Sequence, residues 1–125
     1  MAWLGKLIEH LARSPEEMRA ENLQLWRESL GGCVRIAQLE PRHKCRTAGV
    51  IQNIRIDPRE GRGSVEATII DGTGQMVARW LGRRSLAGIR LGVGLIVEGT
   101  VATSGEGEPM ILNPEYELLP GPEHG

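Results

Sequence analysis

From Cys45 to Leu119 the chain is written in period two and punctuated by glycine, and no other feature narrows its possible folds so far. The runs "CRTAGVIQNIRI", "SVEATII", "QMVARWL", "LIVEGTVA" and "MILNPEYELL" each alternate or run apolar over strand-like lengths. Val65, Ala67 and Ile69 point one way with Met76, Ala78 and Trp80, and Val97 and Val101 extend the same predicted interior. Glu66, Thr68 and Ile70 point the other way, with Gln75, Val77, Arg79 and Leu81. "DGTG" (71–74) supplies the hairpin between the second and third runs: its glycines tolerate positive φ, and Asp71 and Thr73 can bond their own backbone. Gly49 inside the first run predicts a bulge or sharp coil, and Pro114 in the last demands an edge or bulged position. "DPREGRG" and "TSGEGEP" read as loops, and "RSLAG" (84–88) as a helical turn within the connector to the fourth strand. Five strands, the first long and kinked, predict a small closed sheet from about Arg46 to Leu119.

The N-terminal part has a different period. Trp3, Leu4, Leu7, Ile8 and Leu11 form a helical stripe opposite Lys6, Glu9 and Arg13. "SPEE" then starts a second helix, with Ser14 as N-cap, Pro15 in the first turn and Glu17 completing a capping box. Met18, Asn22, Leu25 and Trp26 share its apolar face, and Gly31–Gly32 ends it. "CVRIAQLEPRHKC" reads as a connector. The chain thus divides into a helical segment (1–31), a barrel (32–119) and a flexible tail (120–125). At 125 residues, 40% hydrophobic and 25% charged, it has the composition of one globular domain. No apolar run approaches the roughly 20 residues of a membrane span. With no cleavage-site pattern and only two cysteines, the expected compartment is the cytoplasm.

Catalytic and cofactor chemistries find little footing. "DGTG" is not the Asp-Thr-Gly of aspartic proteases, because Gly72 separates Asp71 from Thr73. Cys33, His43 and Cys45 lack the close-spaced second pair that a zinc site needs. No glycine-rich loop is followed by Lys-Ser/Thr, and Ser14 and Ser29 have no recognisable base partner. The expectation is a non-enzyme with no cofactor and no metal.

Charge is distributed unevenly. Residues 42–90 carry ten Lys/Arg against four Asp/Glu, whereas residues 91–125 carry six Asp/Glu and no Lys/Arg. A basic middle in a nearly neutral chain suits an anionic partner. "DGTGQMVARWL" between the second and third strands resembles the Asp-Gly-Thr-Gly hairpin of OB-folds in replication protein A, fork-reversing helicase wedge domains and anticodon-binding domains. With "WLGRRSLAGI", "VEGTV" and "NPEYELL" in this order, residues 32–119 resemble a family of small actinobacterial OB-fold nucleic-acid-binding proteins. The resemblance implies a mainly β protein, a five-stranded Greek-key barrel after a short helical segment, that binds single-stranded DNA or RNA without catalysis. OB-folds bind strands on the outer face of their second and third strands. That face would hold Thr68, Val77, Arg79 and Leu81, joined by Arg55, by Arg59 and Arg62 from the first loop, and by Arg83 and Arg84 from the connector. With no Phe, and with Trp80 on the inward register, stacking is scarce and binding should be modest and electrostatic. Glu106 and Glu108 would repel phosphate at the rim. A second reading makes the barrel and the amphipathic N-terminus a protein-protein or membrane-surface adaptor. Oligomeric state is left open.

Overall fold

The computed structural model describes residues 14–59, 62–105 and 107–122. The stripe from Trp3 to Leu11 lies outside them. Among the described residues one helix, α1 (Pro15–Glu28), leads through a short 3-10 turn (Ile36–Gln38) into six strands. These are β1 (Lys44–Asp57), β2 (Ser64–Ile70), β3 (Gln75–Leu81), β4 (Gly94–Thr103), β5 (Pro109–Leu112) and β6 (Glu115–Leu119). The first half of β1 pairs antiparallel with β4 and the second half with β2. β2 pairs with β3, β3 runs parallel to β5, and β5 returns to β4, so the sheet closes on itself. A long first strand shared by both halves and a parallel closing pair make this the five-stranded OB-fold barrel.

The predicted fifth strand is two. Pro114 has no N–H to pair, and the chain breaks at Asn113, which takes φ 50°. Asn113 repairs the gap: its N–H donates to Arg79 O (2.6 Å) and its Oδ1 accepts from Leu81 N–H (2.9 Å). β6 then pairs with β4. The bulge is also displaced from its expected position. It falls between Ile51 and Asn53, around Gln52. Gly49 instead permits a close approach, since a Cβ there would lie 2.8 Å from Ile70 O and 2.9 Å from Ile69 Cβ. The helical turn expected at 84–88 is a single hydrogen-bonded turn, Ile89 N–H to Leu86 O, that lets Leu86 and Ile89 both pack on the core.

All eight predicted interior residues are buried. Ile36 joins them, so the connector contributes to the core as well. Helix α1 begins as predicted, with Ser14 Oγ accepting from Glu17 N–H (3.1 Å). Its packed face differs from the expected one. Leu25 is 66% exposed and Met18 40%, whereas Arg27 is buried. The seat is polar: Arg27 Nε lies 3.5 Å from Asp71 Oδ2, and Gln24 Nε2 donates to Gly72 O (3.0 Å). Asp71 itself is fully buried and accepts from Ile36 N–H, Thr73 N–H, Thr73 Oγ and Gly74 N–H at 2.6–3.2 Å. "DGTG" is therefore a hairpin and also the socket for the helix. In the same last turns of α1, Trp26 Nε1 donates to Pro120 O (3.2 Å), and Gly121, in the expected tail, is buried.

Candidate functional site

The bulge at Gln52 decides which side chains of β1 face outward. Strict alternation from Ile51 would turn Asn53 and Arg55 into the core and Ile54 out. The extra residue reverses that, so Ile54 packs against the core while Asn53 and Arg55 join the outer face. Two transverse rows result. Arg55 pairs with Glu66, Glu66 with Arg79 and Arg79 with Leu112; one step along, Asn53, Thr68, Val77 and Met110 form the parallel row. Between them and the β4–β5 loop lies a cleft of about 380 Å³, closed on the loop side by Ser104, Gly105 and Glu108. The loop is held in a tight hairpin by Ser104 N–H to Glu108 O (2.8 Å) and Gly107 N–H to Ser104 O (2.9 Å), and Gln75 Nε2 donates to Glu108 Oε1 across the cleft end.

Electrostatically the cleft is mixed. Arg79 Nε stands 3.3 Å from Glu66 Oε1, yet that nitrogen is buried and makes no hydrogen bond. Arg55 is exposed and forms no ion pair among the described residues. In the first loop Arg59 is committed to Asp57: its Nε lies 3.0 Å from both carboxylate oxygens and its Nη2 2.7 Å from Oδ2. The Arg59 side chain and backbone N–H hold the Asp57 carboxyl below the usual carboxylate range, and the same contact raises Arg59.

The nine residues singled out in the sequence therefore separate. Arg55, Thr68, Val77 and Arg79 line the cleft. Leu81 and Arg83 border a neighbouring depression formed with Trp80, Asn113 and Tyr116, where the two rings meet edge to face at 5.4 Å. Arg59 and Arg62 stay in the first loop, and Arg84 is an exposed connector residue. The arginines do not form one uniform patch, because Arg59 and Arg79 bring acidic neighbours. Asn53, Glu66 and Glu108 complete the cleft. Glu66 was available from alternation alone, whereas Asn53 depended on a bulge that only strand pairing reveals.

No model of a protein family and no curated protein matches this chain. Solved structures similar to this chain include the following two. RecG bound to a three-way DNA junction is 21% identical over 71% of this chain and 14% of its own, with a TM-score of 0.54. A replication protein A heterotrimer bound to single-stranded DNA is 20% identical over 72% of this chain and 79% of the matched chain, with a TM-score of 0.51. The chain thus spans a small part of the RecG polypeptide, and the likeness establishes the OB-fold. Among the described residues no helix is long and apolar enough to cross a membrane, and no group of three His, Cys, Asp or Glu side chains is placed to hold a metal ion.

Proposed function

We propose that the outer face of β1–β3 binds single-stranded nucleic acid without catalysis. The observation that carries the reading is the cleft where Arg55, Arg79, Asn53 and Thr68 from three adjacent strands converge under the β4–β5 loop. Arginine pairs phosphate through its planar fork and stacks on bases, and Asn and Thr add neutral hydrogen bonds. That RecG and the replication protein A heterotrimer are each bound to DNA in those structures supports the reading. Trp80 is buried and its indole N–H is spent on Pro114 O (3.0 Å), so it is not a stacking platform. Exposed Leu81 and Leu112 supply aliphatic faces instead, which keeps affinity modest and electrostatic.

The test is filter binding of short single-stranded DNA and RNA across a salt series. If about three phosphates are engaged, log affinity should fall with log salt at a slope near −2, from roughly −0.7 per contact. Arg55→Ala should flatten that slope by somewhat less than one unit and leave the fold intact. Duplex should bind less well, since a shallow face reads splayed strands. Salt-insensitive behaviour toward every strand, shared by an Arg55→Ala/Arg79→Ala/Arg83→Ala variant, moves the function to a protein partner at the exposed Met18–Leu25 face of α1.

A further inference from the structure

We infer that the cleft selects guanine, through the carboxylate of Glu66. The inference rests on the nucleic-acid reading above and gives it a base preference. Glu66 sits mid-row between Arg55 and Arg79 on the neighbouring strands, and all three side chains line the cleft. Its side chain is 24% exposed and Arg79's is 39%, so both remain reachable from the cleft. Arg79 Nε is buried 3.3 Å from Glu66 Oε1 in an ion pair without a formed hydrogen bond, so a base in the cleft would meet the Arg79 terminal nitrogens and the carboxylate of the partly exposed Glu66.

A carboxylate offers two adjacent acceptors and is satisfied best by two adjacent donors. Guanine has such a pair on its Watson–Crick edge, N1–H and the 2-amino group, with O6 next to them for an arginine. Cytosine and adenine place one amino group beside a ring-nitrogen lone pair, which would face the second carboxylate oxygen with repulsion. Thymine and uracil place a single N–H between two carbonyls. Single-stranded ligands expose these edges, so they can be read directly. A purely phosphate-binding face would gain nothing from an acid in its centre, because Glu66 weakens the field that Arg55 and Arg79 create.

The experiment compares oligothymidylate with the same strand carrying isolated guanines, adenines, cytosines or hypoxanthines, by fluorescence anisotropy at fixed salt. Hypoxanthine keeps O6 and N1–H and lacks the 2-amino group. The guanine strand should bind about tenfold tighter than oligothymidylate, a typical gain for one good bidentate contact. Hypoxanthine should lose most of that gain. Glu66→Gln, which keeps size but offers a single acceptor, should level the bases, so that the guanine strand binds no tighter than oligothymidylate. Its melting curve confirms the fold. Equal affinity for all bases, a preference for cytosine or adenine, or a guanine preference that survives Glu66→Gln overturns the inference. Salt-sensitive binding without base preference leaves the nucleic-acid reading standing, whereas no binding to any strand removes both.

Discussion

Asp71 is the residue on which most of this chain's local order converges. Its carboxylate holds the 3-10 turn through Ile36, closes its own hairpin through Thr73 and Gly74, and faces the buried Arg27 of α1. Asp71→Ala would orphan three backbone N–H donors and a buried guanidinium, and should cost about 3–5 kcal/mol in chemical denaturation. Arg27→Met should cost less, because Asp71 keeps its N–H and O–H donors; the reverse order would mean that the ion pair dominates. The turn chemistry of "DGTG" is legible at short range, but Asp71's burial is not, since its partners lie 35 and 44 positions upstream. Trp80 was legible from alternation, and Trp80→Ala should cost roughly 3–5 kcal/mol by emptying the core beside Tyr116. Asp57 makes a pH prediction. Its folded value is lowered, so its contact with Arg59 contributes above the ordinary carboxylate range and is lost as pH falls through the folded value. A carboxyl NMR titration should place its midpoint below 3.8, and Arg59→Ala should bring it back up.

Elements were legible by period and less so by face. The strands declared themselves through alternation, yet one extra residue at Gln52 inverts every side chain beyond it, and single-residue slips leave no mark on composition. Helix α1 shows the complementary failure. Its most apolar stripe, through Met18 and Leu25, looks outward, because the helix is seated by Gln24 and Arg27 on a polar hairpin. That seat requires Gly72, which has φ 86° and whose added Cβ would run into Ala20 O. Gly72→Ala should therefore lift α1 off the barrel. Amide exchange should accelerate across Pro15–Glu28 while Val65–Ile69 stays protected; equal acceleration in both would show that helix and barrel open together.

At the scale of the whole molecule, net charge by segment located the basic middle of the chain and misjudged its texture. Folding places Glu66 from β2 between two arginines and Glu108 over the cleft, so acidic groups enter the face that counting alone made basic. Which charges meet is fixed by strand register across the barrel, and no linear window contains it. Closure has its own consequence for how copies of this protein behave together. Among the described strands only β6 has a single neighbour. It is five residues long, begins next to Pro114, ends at Pro120 and bears Glu115 and Glu117, the second of which is tied to Arg46 (3.1 Å). An edge that is short, acidic and bounded by prolines offers a poor template for an added strand. Joining of copies through this edge is therefore disfavoured, and Glu115→Val/Glu117→Val, which strips that guard, should raise light scattering at high concentration relative to wild type.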